Sequence, residues 1–232
     1  GTSEVHGAAL GDEEIELPAM VYPIDKVKAA KYFSYNQKKG RRTLSPETIF
    51  VNTHIAEDKE AQEIGDVLDY CGLFVKGDCA KQIPEPYVPG TCEISYRGIS
   101  EAYLKIAGKD KRVCKQARDI VYNAFINKGD NAEGRIANDV FWAVLQTLVS
   151  FPAVREGNLN KSFQKYLDAQ ATLHNQGQMA KSWKGDIKGV TGNVGISKTL
   201  AFHLITGWRQ SKFSNGYVEN NTRNIKETLG IE

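Results

Sequence analysis

Between residues 113 and 149 the chain repeats apolar side chains at intervals of three and four, and this spacing constrains its fold more than any other feature. Val113, Ala117, Ile120, Val121, Ala124 and Phe125 fall on one stripe, because a turn of about 3.6 residues brings such positions to the same helical face. Residues 135–149 repeat the pattern with Ile136, Val140, Val144, Leu145 and Leu148 facing inward, and Phe141 and Trp142 widen the band. The second helix is the more hydrophobic and is expected at the centre of the core. Gly129 separates the two, and Pro152 stops the second.

The same reading extends to both sides. Ser45 and Pro46 read as a helix start, the serine as cap and the proline at the first helical position. Residues 58–70 read as a helix with Ile64, Val67 and Leu68 inward, ended by Cys71 and Gly72. Residues 98–106 form a short helix, and residues 159–173 an amphipathic one through Phe163, Tyr166, Leu167 and Ala171. A glycine-rich turn over 185–195 leads to Ser197 as a cap and a helix to residue 208, and a last short helix is expected over 221–229. Pro84, Pro86 and Pro89 make 76–95 a loop. The expected fold is therefore mainly α. A single helical core spans 46–208, with an extended charged N-terminal arm over 1–45 and a short C-terminal arm over 209–232. There is room for a small β hairpin in 76–96.

Composition sets the outer bounds. With 232 residues, 41% hydrophobic and 25% charged, the chain has the apolar content to close a core unaided, which excludes wholesale disorder. Its longest dense apolar run, over 140–154, is broken by Gln146, Thr147, Ser150 and Pro152. It falls short of the roughly 20 apolar residues that cross a membrane, so no membrane partner is expected. The acidic start carries no secretory signal pattern. Cytoplasmic or virion-associated placement follows, with secretion left open, because a signal removed before residue 1 would leave no trace. The four cysteines are read as reduced, and the N-x-Ser/Thr triplets at Asn160 and Asn220 matter only in a secreted protein.

Four partial motifs bear on chemistry. Gly192-Asn-Val-Gly-Ile-Ser-Lys198-Thr199 resembles a phosphate-binding loop, yet Ser197 replaces its last glycine, and 184–190 makes a poor preceding strand. The same turn matches a helix-hairpin-helix element with its glycine spacing displaced and its proline missing, so backbone anion contact suits it better than catalysis. Cys79, followed by His174 and His203, gives the chain order of a cysteine-dependent hydrolase. A nucleophilic thiol needs a helix start or an imidazolium beside it, and the prolines around Cys79 supply neither. Zinc is disfavoured, because 7, 12 and 21 residues separate successive cysteines. Paired carboxylates such as Asp66 and Asp69 read as a solvated helix face. No cofactor or metal is expected, and the balance leans away from an enzyme.

What remains is the placement of charge. The formal net charge is only +2, but it is laid down in blocks. Glu4, Asp12, Glu13, Glu14 and Glu16 precede Lys26, Lys28, Lys31, Lys38, Lys39, Arg41 and Arg42, which are interleaved with Tyr32, Phe33 and Tyr35. Lys111, Lys115 and Arg118, with Tyr122, repeat that chemistry along a helix edge, and Lys198 adds a cation to the basic stretch 181–212. Cations neutralise phosphates and release counterions, and exposed aromatics stack on unpaired bases. The expectation is a structural protein that binds single-stranded nucleic acid, RNA in preference to DNA, through the strand's backbone. Complementary charge in its arms would favour head-to-tail homo-oligomers, as in a nucleocapsid or coat. The alternatives are the cysteine hydrolase above and a protein-interaction module without nucleic-acid affinity.

Overall fold

Helix α2 (Pro46–Ile55) begins as its first residues dictate, with the Thr48 amide donating to Ser45 Oγ at 3.2 Å and Pro46 in the first turn. The computed structural model describes residues 25–31, 45–75, 91–127, 134–184, 192–214 and 222–231. Within the stretch expected to be extended, residues 26–31 form a short helix, α1, started by Asp25, whose carboxylate accepts from the Lys28 amide at 2.7 Å. Helix α3 (Lys59–Cys71) is capped by Asp58, which accepts from the Glu60 and Ala61 amides, and it ends on Gly72 at φ 63°. Glycine suits that position because a Cβ in the left-handed region meets the following carbonyl oxygen. The expected start of α2 and both expected ends of α3 hold to within a residue.

Two strands follow. Strand β1 (Leu73–Val75) pairs in parallel with β2 (Cys92–Ile94), Leu73 opposite Cys92 and Val75 opposite Ile94. This corrects the expected hairpin. Parallel partners need a crossover of about a dozen residues or more rather than a tight turn, and 76–91 supplies it. On its other side β2 bonds residues 134–136, with the Glu93 amide donating to Gly134 O at 2.6 Å and the Ile136 amide to Glu93 O at 2.8 Å. That bridge is why the central helix starts at Asn138 rather than at residue 135.

Helix α4 (Tyr96–Glu101) continues as one π-helical turn over Ala102–Ile106, and α5 (Lys111–Val121) continues as another over Tyr122–Ile126. In the second, the Asn127 amide reaches back five residues to Tyr122 O at 2.9 Å. The central helix α6 (Asn138–Ser150) is buried on every side from Val140 to Leu148 and lies between α5 and α9 (Asn193–Gln210). A 3₁₀ turn (Pro152–Arg155) leads to α7 (Gly157–Leu173), followed by α8 (Gln176–Lys184). Trp208 of α9 sits edge-on to Phe163 of α7 at 5.6 Å, and a Cβ at Gly207 would collide with the Tyr166 hydroxyl. The last helix, α10 (Thr222–Leu229), buries Ile225 and Leu229 in the same apolar cluster. The fold is mainly α around one core.

The core centre should dominate stability. Leu148→Ala, at a fully buried site, is expected to lower the unfolding free energy in urea by about 2–5 kcal/mol. Leu173→Ala, at a site 70% exposed, should change it by less than about 0.5 kcal/mol.

Candidate nucleic-acid interface

The basic residues divide into three environments. Lys26, Lys28 and Lys31 are exposed on α1, and among the described residues only Lys28 meets a carboxylate, Asp25 Oδ2 at 3.6 Å. Both groups of that pair are well solvated, so its strength is slight. Lys38, Lys39, Arg41 and Arg42 lie outside the described residues.

On α5 the expected stripe is not uniform. Lys111 is exposed with its ammonium 5.0 Å from the Tyr70 ring, and Lys115 pairs with Asp119 at 3.1 Å. Arg118 instead turns inward and is only 6% exposed. Its guanidinium lies 4.3 Å over the Tyr122 ring and donates from Nη1 to Asp119 at 3.0 Å. The cause is helical position. Cys114, Ala117 and Val121 are buried on the adjoining rows, so residue 118 borders the apolar stripe. The flat guanidinium then covers an aromatic face rather than reaching water.

Lys198 occupies a third setting. It is half-buried on α9, and its Nζ lies against Gly230 at the C-terminal end of α10, where helix carbonyls attract a cation. The phosphate-loop resemblance does not survive around it. Gly192, at φ 81°, precedes the helix, and Ser197 is buried in the second turn rather than capping it. Its hydroxyl donates to Val194 O at 2.7 Å and lies 3.1 Å from Gln146 Oε1, while Thr199 Oγ1 bonds Gly195 O. Neither hydroxyl is free to line a phosphate cradle.

A cavity of about 570 Å³ opens where the π turn after α5, the bridge segment 135–138 and the junction of α7 with α8 meet. Phe125, Ile136 and Ala171 give it apolar walls, and Arg135, Asn138, Asp139, His174 and Asn175 bring polar groups to it. Gln176 fixes its floor, accepting from the Ala137 amide at 2.8 Å and donating to Arg135 O at 2.9 Å. Asn175 and Gln178 bond each other's backbone amides reciprocally at 2.8 and 3.0 Å and so start α8. Arg135 is half exposed at the mouth, its Nε 3.4 Å from Glu93.

Of the hydrolase candidates, Cys79 lies outside the described residues. His174 is exposed on the cavity wall, whereas His203 is half-buried on α9, edge-on to Phe202 at 5.5 Å and absent from that wall. Among the described residues no three His, Cys, Asp or Glu side chains come together to hold a metal ion. Cys71, Cys92 and Cys114 are buried and unbridged. Burial pushes all three thiols up, Cys71 from 9.0 to about 12. The family models, curated proteins and solved structures compared with this chain give no match.

The buried thiols yield a prediction with a defined sign. Cys71 stays neutral in the folded chain up to about pH 12 but ionises from about 9.0 once unfolded. Its contribution is therefore complete below pH 9 and is lost as pH rises towards 12. Urea unfolding across that range should show stability falling, and Cys71→Ala should flatten the fall. Iodoacetamide at neutral pH should leave Cys71, Cys92 and Cys114 unlabelled in the native protein, as read by peptide mass spectrometry.

Proposed function

We propose that this chain is a structural nucleic-acid-binding protein, holding single-stranded RNA or DNA mainly through its phosphates and assembling with further copies through its terminal segments. The observation that carries this reading is the charge of residues 26–42, whose sequence holds seven Lys and Arg and no carboxylate, with Asp25 at the segment's edge. The three of these cations that are described all project into solvent. A second basic stretch supports it, since Asp186 is the only carboxylate between Asp168 and Glu219 while Lys181, Lys184, Lys188, Lys198, Arg209 and Lys212 fall there. Such unbalanced runs attract a polyanion with little regard to sequence. RNA is the favoured strand, and a cytoplasmic or virion-associated setting would supply it.

The test begins with protein purified without nuclease, whose 260/280 nm absorbance ratio reports co-purified nucleic acid. A fluorescent single-stranded oligonucleotide is then titrated across a salt series. The logarithm of the affinity should fall linearly with the logarithm of salt, by about 0.7 per phosphate contact. Replacing Lys26, Lys28 and Lys31 together by Ala should lower that slope by about 2. Absence of binding at low salt, or binding indifferent to salt, would sink the reading.

Assembly makes a separate prediction. Residues 4–16 carry five carboxylates and no Lys or Arg, against the basic segment that follows. Removing residues 1–16 should shift the protein to smaller species in light scattering, and raising salt should do the same to the full chain. An unchanged mass in both experiments would rule out assembly through those charges.

A further inference from the structure

We propose that the cavity beside α8 seats one nucleobase of the bound strand; this rests on the single-strand reading above. Its volume of about 570 Å³ is that of a pocket for one small organic group rather than of a groove for several bases. The lining has the two parts a base requires, flat apolar walls and a few oriented polar groups. Phe125 and Ala171 supply the walls, and the π turn that ends at Ile126 carries Phe125 there. π-helical turns recur at binding sites because the extra residue re-aims a side chain. The His174 ring is exposed on the cavity wall and makes no hydrogen bond among the described residues, which leaves it free to stack on an inserted base.

The polar groups orient the base. Asn138 Oδ1 is occupied by the Ser95 hydroxyl at 3.0 Å, and Asn175 Oδ1 by the Gln178 amide at 2.8 Å. These bonds fix both carboxamides, and each keeps an NH₂ group that donates. Such donors call for acceptors on the ligand. Every base presents them, as carbonyl oxygens in uracil, thymine, cytosine and guanine and as ring nitrogens in adenine. Asp139 adds a carboxylate to the wall, which disfavours a phosphate inside and leaves the backbone at the mouth. There Arg135 is half exposed, and Lys181 stands one turn along α8 from Gly177 of the lining. The base enters while its phosphates stay outside with the cations.

The experiment compares three fluorescent dodecamers on the full chain at fixed salt: oligo-uridine, oligo-adenosine and an abasic strand of the same charge. Oligo-uridine and oligo-adenosine should each bind about tenfold or more tighter than the abasic strand. Ala171→Trp, which fills the cavity, should bring the uridine-to-abasic ratio close to one. Should circular dichroism show that variant unfolded, His174→Ala at its exposed site gives the same measurement, and a several-fold fall in the ratio is expected. A wild-type ratio near one would overturn the base seat while leaving backbone binding intact. Failure of all three strands to bind at low salt would overturn the reading it rests on. A ratio untouched by the folded cavity variant would show that the base lies elsewhere and would overturn the seat.

Discussion

Every side chain from Val140 to Leu148 is out of water, and the rest of the fold is arranged so that this can be so. A helix buried all round needs neighbours on each side, and α5 and α9 supply the two largest faces while α4 with its π turn, the 3₁₀ turn and α8 close the remainder. Burial of this kind removes water from polar groups as well, so each of those needs a partner. Trp142 Nε1 donates to Gly98 O at 2.8 Å, Thr147 Oγ1 to Ala143 O at 2.8 Å, and Gln146 Oε1 lies 3.1 Å from the Ser197 hydroxyl. These bonds are directional where apolar contacts are not. They fix α4 and α9 at particular heights along α6, and a sliding of either helix would leave a buried donor or acceptor unmet.

The same requirement explains the beginning of α6. Its first residues are held by the bridge to β2 and by Gln176, so the segment that enters the core is anchored from two directions before the first helical turn. The cavity is a by-product of that anchoring. Segment 135–138 must stand away from α7 to reach β2, and the side chain of Gln176 spans the gap at one end only. A void between elements held apart by hydrogen bonds keeps its shape without a ligand, which is the condition for a preformed pocket.

How much of this could be read from the sequence depends on the range of the interaction. Helix starts and stops that follow from neighbouring residues, such as Ser45 with Pro46 and the glycine at 72, were legible because the cap and its partner lie a few positions apart. The apolar stripes placed α5, α6 and α7 for the same reason. Spacing cannot say that Leu73 will lie opposite Cys92, nor that β2 will take residues 134–136 on its free edge, because those partners are set by tertiary packing. The burial of Arg118 was hidden by residue type, since an arginine beside an apolar stripe is ordinarily taken as solvated. Ser197 misled in the opposite way, as a common capping residue used inside a helix. The cavity had one local sign, the Asn175-x-x-Gln178 pairing that starts α8. Its walls come from segments some fifty positions apart, so nothing in the linear pattern joined Phe125 to His174.

Pairing also decides which charges act at a distance. In the core many cations have a carboxylate within hydrogen-bonding range: Lys105 with Glu101 at 2.8 Å, Lys109 with Glu63 at 2.9 Å, Lys115 with Asp119 at 3.1 Å. The Lys109 ammonium holds the Glu63 carboxyl below its usual range, as a close cation does. Seen from beyond a Debye length of about 8 Å at physiological salt, such a pair is a small dipole whose field has largely vanished. Residues 26–42 contain no carboxylate of their own, and Lys28 reaches the neighbouring Asp25 only at 3.6 Å. A polyanion approaching the molecule would therefore feel the terminal segment before it feels the core, although the core holds cations of its own. The proposed division of labour follows from this, with capture by the basic terminal segment and the seating of a base left to the cavity beside α8.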